Sequence, residues 1–66
     1  MKIQFNFQIN PLDHREAWER VPVYRRKFTD RVAAIHFAER LARLYKAEVR
    51  LSEGTDPLRE SGAYFR

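Results

Sequence analysis

Residues 2–10 alternate strictly between polar and apolar side chains, and no other feature restricts the fold of this chain as much. The apolar positions are Ile3, Phe5, Phe7 and Ile9, and the polar positions are Lys2, Gln4, Asn6, Gln8 and Asn10. Because successive side chains of a strand point to opposite faces, this pattern predicts a half-buried strand with its apolar face on the core. Pro11 predicts the end of the strand, since proline has no backbone N–H to donate.

A single long helix is predicted over residues 29–46. Thr29 is the expected N-cap, with Asp30 in the first turn, where the helix dipole favours a negative charge. Arg43 and Lys46 in the last turn have the sign that the other end of the dipole favours. The three-and-four spacing of apolar residues predicts one buried stripe, made of Ala34, Phe37, Ala38, Leu41, Leu44 and Tyr45.

Shorter elements are predicted around these two. Residues 12–20 favour a short helix or helical loop, with Asn10 as a candidate N-cap, and residues 21–28 are β-prone, with Pro22 indicating an edge or a strand start. Residues 47–52 alternate again, residues 54–57 have the composition of a turn, and residues 63–66 form a candidate last strand. Trp18 is expected either to close the end of the core or to anchor an interface.

These elements predict one α+β domain over residues 1–66, because 66 residues cannot supply two independent cores. The expected architecture is a two-layer sandwich: one long helix (about 29–46) on a small antiparallel sheet of three to four strands, in the order ββαββ. The expected core contains Ile3, Phe5, Phe7, Ala34, Phe37, Ala38, Leu41, Val49 and Leu51. One helix covers one face of the sheet, so the other face is expected to be open to solvent.

The open face and its basic edge are the expected site of function. Lys and Arg number 13 against 9 Asp and Glu, a formal charge of +4, which attracts anionic partners. The candidate partner-binding residues are Tyr24, Arg25, Arg26, Lys27, Arg31 and Arg50. Strand alternation would direct Arg25 and Lys27 to the open face and Arg26 to the other. The same charges are also typical of an edge strand protected against pairing with other strands.

Catalytic and metal-binding functions find little support in the sequence. There is no Cys, and the two His are not placed at zinc-ligand spacing. The group Asp13, His14, Glu16 and Glu19 could be drawn as an acid–base site, but such residues are commonly capping and solvating groups, and so small a chain offers no pocket to retune a carboxylate. We therefore expect no enzyme activity, no catalytic or metal-binding residues and no cofactor. The absence of Cys and of a membrane span favours a cytoplasmic protein.

Residues 28–34, continued by Phe37 and Ala38, are followed by the strand at residues 48–51. This stretch, about the central half of the chain, resembles the helix-then-strand core of several small anti-CRISPR proteins of phages and mobile elements. The resemblance implies a non-enzymatic protein that occupies a surface of a CRISPR effector complex and blocks DNA binding or nuclease recruitment. It transfers no individual functional residue.

Two functions are therefore expected. The first is a phage or mobile-element inhibitor or adaptor that binds a protein partner, such as a CRISPR effector complex, in the host cytoplasm. The alternative is a small basic nucleic-acid-binding module that uses the open sheet face. For the first function we expect weak DNA affinity and no membrane association. A homodimer formed through the open face or an edge strand is compatible with either, because a chain of this size buries little apolar area by itself.

Overall fold

The computed structural model describes residues 1–54 and 62–66 of the chain. Its elements are β1 (Ile3–Pro11), a 3-10 turn (Trp18–Arg20), β2 (Tyr24–Phe28), α1 (Arg31–Tyr45), β3 (Ala47–Glu53) and β4 (Ala63–Phe65). The four strands form one antiparallel sheet in the order β2-β1-β3-β4. The predicted α+β class and ββαββ order are confirmed. The predicted turn at residues 54–57 lies, except for Gly54, outside the described residues.

The strand β1 lies at the centre of the sheet and carries much of the core. It pairs with β2 through residues 3–7 and with β3 through residues 5–11. Phe7 is fully buried, and its ring packs edge-on against Phe28 and Phe37 at centroid distances of 5.9 and 5.1 Å. The apolar residues of the alternation therefore face α1, as predicted. Of the expected core, Ile3 and Phe37 are only partly buried, although both pack against the central cluster.

The helix α1 covers Arg31–Tyr45, and its N-cap is Asp30, one residue after the predicted cap Thr29. The Asp30 carboxylate accepts a 2.8 Å hydrogen bond from the backbone N–H of Ala33. The buried positions are Ala34, Ala38, Leu41 and Ala42. Small residues spaced by four allow the helix to approach the sheet closely. The predicted burial of Leu44 and Tyr45 is wrong, since these residues are 67% and 55% exposed.

Lys46 is the C-cap that follows the helix, and its φ of 49° places it in the left-handed region. A side chain with a Cβ is strained there, whereas glycine is not. We therefore expect Lys46→Gly to raise the free energy of unfolding by about 0.5–1 kcal/mol, measured by urea denaturation. Lys46→Ala is the matched control, because it removes the charge and keeps the Cβ. Equal stability of the two variants would contradict the role assigned to the backbone conformation.

Residues 12–20 do not form the predicted short helix. Only the 3-10 turn at Trp18–Arg20 is helical, and Asn10 is not a helix cap. The Asn10 side chain instead holds the backbone of Glu16 from both sides: its Nδ2 donates to the Glu16 carbonyl at 2.8 Å, and its Oδ1 accepts from the Glu16 N–H at 3.0 Å. Because the Asn10 side chain takes up the N–H and C=O groups of Glu16, these groups cannot form the hydrogen bonds of a helix, and the segment keeps an irregular conformation.

The second face of the sheet is not open, and this prediction is wrong. Residues 12–23, which we call the cover, lie across it. Beneath the cover the Gln8 side chain donates to the carbonyls of Trp18 and Val21 at 3.0 and 3.1 Å. At the other end of β1, Asn6 and Gln4 donate to the carbonyl of Gly54 at 2.9 and 3.2 Å. The predicted open surface is thus largely an interior contact, with Asn6, Gln8 and Asn10 each at most 2% exposed.

A further contact fastens the cover to β3 and β4. Arg15 forms a 2.8 Å ion pair with Glu48, and the ring of Trp18 lies 5.6 Å from that of Tyr64. The Trp18 side chain therefore closes the edge of the covered face. In the part of the chain that the structure describes, no helix is long and apolar enough to cross a membrane.

Candidate partner-binding surface

The strand β2 is an edge of the sheet, and it brings together four of the predicted site residues. Tyr24, Arg25, Arg26 and Lys27 are consecutive and all exposed, and only the last residue of the strand is half-buried. One side of β2 pairs with β1. Within residues 1–54 and 62–66 no strand pairs with the other side. We call these four residues and their unpaired backbone the basic edge.

The register of the sheet distributes these cations over two faces. Arg25 lies opposite Asn6 and Lys27 opposite Gln4, so both belong to the face that carries the cover. Arg26 lies opposite Phe5 and belongs to the helix face. The predicted separation of Arg26 from its neighbours is confirmed. A partner that lies along the edge would meet positive charge on both sides of the strand.

Arg26 is held against the aromatic part of the core. Its guanidinium carbon lies 5.3 Å from the centroid of the Phe28 ring and 4.9 Å from that of Phe37. A guanidinium over aromatic rings gains cation–π attraction while its N–H groups stay available to an acceptor. This contact restricts the Arg26 side chain before any partner binds, which lowers the entropy cost of binding.

A shallow groove of about 250 Å³ lies between β2 and α1 beside this contact. His36 and Arg40 line it from the helix, together with Arg26 from the strand. None of these three side chains is in an ion pair with a described carboxylate. The groove therefore adds cationic groups to the helix side of the basic edge.

His36 and Arg40 are candidate site residues that the sequence alone did not indicate. They lie one helical turn apart, so they project from the same flank of α1. That spacing is visible in the sequence, but it identifies a site only when the position of β2 beside this flank is known.

Tyr24 ends the basic edge and begins an apolar hollow. Its ring lies 6.3 Å from that of Phe7 and 6.4 Å from that of Phe37, and its side chain is half-exposed. The hollow continues over Ile9 and Tyr45, beyond the last residue of β1 that pairs with β2. The exposed surface at this end is therefore aromatic and the rest of the edge is cationic.

The structure places Arg31 away from the basic edge. Its Nε donates a 2.7 Å hydrogen bond to Glu53, at the end of β3, and the side chain remains largely exposed. This hydrogen bond, with the attraction of the Glu53 charge, raises the pKa of Arg31 above its usual value. Arg31 follows the basic strand closely in sequence, but the chain turns between the two and separates them.

Arg50 is not on an exposed face, contrary to the prediction. It is 5% exposed and lies opposite Gln8 on the covered side of the sheet. Its guanidinium carbon lies 6.0 Å from the centroid of the Tyr64 ring. Because Arg50 is buried, little of its side chain is accessible, so of the six predicted residues four form one surface.

The acidic group near His14 is exposed and forms no enclosed site. His14 Nε2 lies 4.0 Å from Glu16 Oε1, and the His14 side chain is largely exposed while that of Glu16 is about half-exposed. Across the described ranges, no three His, Cys, Asp or Glu residues converge as metal ligands would.

Comparison with known proteins gives no match: no family model matches the chain, and no curated protein or solved structure is significantly similar to it.

Proposed function

We propose that this chain is a small non-enzymatic inhibitor or adaptor that binds an acidic surface of a protein partner through the basic edge. The observation that carries the proposal is the exposure of four consecutive residues, three of them cations, on a strand whose outer side pairs with no described strand. The cover supports the basic edge as the binding surface, because it occupies the sheet face that could otherwise serve as the interface.

The resemblance to anti-CRISPR proteins gives the partner class. We propose that the partner is a subunit of a CRISPR effector complex and that binding blocks target DNA or nuclease recruitment. A protein that acts by occupying a surface needs a rigid fold and an exposed binding patch, and it needs no catalytic group. The side chains of Arg26 and Tyr24, held against the core rings, are the kind of residue in which binding energy concentrates.

The test is a plating assay in strains that carry CRISPR systems of different subtypes and are challenged with a targeted phage. We expect the chain to restore plating in at least one subtype. The double variant Arg25→Glu/Lys27→Glu should abolish this and weaken effector binding by about 100-fold, because each reversal leaves an acidic partner group facing a like charge.

The matched control is Arg43→Glu/Arg66→Glu, which changes the net charge equally at exposed residues of α1 and the C-terminal end. It should retain activity, and circular dichroism should show both variants folded. If both variants lose activity to the same degree, net charge and not the basic edge is responsible. If the chain protects the phage in none of the subtypes, the proposal that the partner is a CRISPR effector subunit is wrong.

Nucleic-acid binding is the second candidate function, and the groove beside Arg26 favours it. Cations that flank aromatic rings are also the pattern of single-strand binding surfaces. Fluorescence polarisation with single-stranded and duplex DNA at several salt concentrations distinguishes nucleic-acid binding from protein binding. Each phosphate contact contributes about 0.9 to the salt slope on duplex DNA, so a steep slope with submicromolar affinity would favour this candidate over the first.

A further inference from the structure

The outer side of β2 offers backbone groups as well as charge. An edge strand directs the N–H and C=O groups of alternate residues away from its sheet, and these groups can pair with another strand. The strand β2 has five residues, Tyr24–Phe28, and no proline interrupts it. Charged side chains alone would serve docking on any acidic surface, whereas this geometry also accepts an extended segment.

A second copy of the chain is a poor occupant of this edge. If two copies paired in antiparallel fashion around Arg26, each Arg26 would face the other, and each Arg25 would face a Lys27. Shifting the centre of the pairing to Arg25 or to Lys27 again places identical cations opposite each other. Like charges directly opposite each other destabilise a strand pair. The sequence of β2 therefore opposes self-pairing and selects an acidic strand.

We infer that β2 binds an extended acidic segment of its partner by strand addition, with acidic residues two positions apart facing Arg25 and Lys27. This inference rests on the proposed function and names the binding mode at the same surface. Arg25 and Lys27 lie on one face of the sheet, so acids at alternate positions of the guest strand would meet both. The guest residue between them would lie on the helix side, beside Arg26 and the groove.

The probe is the fluorescein-labelled peptide Thr-Val-Glu-Val-Glu-Val-Thr, acetylated and amidated at its ends. Two further peptides carry backbone N-methyl groups, one on both glutamates and the other on the first two valines. In a strand the N–H groups of alternate residues point in opposite directions. Strand addition therefore predicts that one methylated peptide loses about tenfold or more in affinity and that the other binds much as the parent does.

The same titration followed by ¹H–¹⁵N NMR should shift the amide signals of Tyr24–Phe28 and slow the hydrogen exchange of the alternate amides that point away from β1. Arg25→Glu/Lys27→Glu should abolish peptide binding, and Arg43→Glu/Arg66→Glu should not. A peptide with lysine in place of both glutamates should not bind. Equal affinities of the two methylated peptides, or absence of binding by the parent peptide, would overturn strand addition.

The outcomes also separate this inference from the proposed function. If the peptide fails to bind while Arg25→Glu/Lys27→Glu still abolishes effector inhibition, the edge binds its partner by side chains alone and strand addition is wrong. If the peptide binds as described but effector inhibition is absent, the binding mode stands and the CRISPR partner is wrong.

Discussion

Replacement of Phe7 by alanine is expected to remove a large part of the free energy of unfolding and to lower the melting temperature by more than about 10 °C. Removing a fully buried phenylalanine costs about 3–5 kcal/mol, and a chain of 66 residues, at about 0.05–0.15 kcal/mol per residue, has roughly 3–10 kcal/mol in total. Phe7 is at the centre of a ring cluster with Tyr24, Phe28 and Phe37, so no neighbour fills its volume easily.

The measurement is thermal and urea denaturation followed by circular dichroism. Leu44→Ala is the control, because Leu44 is apolar and largely exposed, and its loss should change the stability by less than about 0.5 kcal/mol. A Phe7→Ala protein that melts within a few degrees of the parent would contradict the assignment of β1 to the centre of the core.

The second large effect is expected at the cover. Asn10→Ala removes the two hydrogen bonds that hold the backbone of Glu16, at a position with no exposed surface. Each lost hydrogen bond costs about 1 kcal/mol, and up to about 2 kcal/mol if the backbone group of Glu16 stays shielded from water, so we expect a loss of about 2–4 kcal/mol in the free energy of unfolding. Part of this cost is avoided if the cover separates from the sheet and water reaches Glu16.

Amide hydrogen exchange distinguishes local separation from global unfolding. In Asn10→Ala, the Glu16 amide should exchange much faster, whereas amides in α1 should change only in proportion to the global stability. Asp13→Ala, also in the cover but exposed, is the matched control and should leave the Glu16 amide protected. Unchanged protection of the Glu16 amide in Asn10→Ala would show that the hydrogen bonds of the Asn10 side chain do not hold the cover on the sheet.

The layer that faces α1 was predictable from the sequence, because its signals are local. Alternation places Phe5 and Phe7 on one face whatever the rest of the chain does, and Tyr24 and Phe28 follow the same rule on β2. The helix was predictable for the same reason. The exposure of the C-terminal end of α1 was not predictable. Burial of Leu44 and Tyr45 would require a sheet that extends beneath them, and β2 begins only at Tyr24.

The cover was not predicted, because polar residues on alternate positions are usually taken as solvent-exposed. Gln4, Asn6, Gln8 and Asn10 are all amides, however, and none is charged. Burial of a charge is costly, whereas an amide can be buried once its hydrogen bonds are made. An alternating strand whose polar face contains only amides is thus compatible with burial on both faces. The amide composition of β1 was therefore the sequence feature that could have predicted a covered second face.

The candidate site was predictable only where it is contiguous. The four residues of the basic edge form one strand, so their sequence neighbourhood is also their spatial neighbourhood. Arg31 and Arg50 were grouped with them by charge, but Arg31 pairs with Glu53 and Arg50 is buried on the sheet face opposite the helix. His36 and Arg40 reach the site only through the packing of α1 beside β2, which depends on the whole fold.

The central position of β1 has a consequence for the order in which the protein can fold during synthesis. Among the elements β1 emerges from the ribosome first, and its pairing with β3 joins Phe5 to Glu53 across the intervening β2 and α1. Pairing over such a separation is slow, because the chain between the strands must first be ordered. Until β3 emerges, one side of the most apolar strand has no partner. The nascent chain is therefore most exposed to aggregation and to chaperone binding until β3 has emerged.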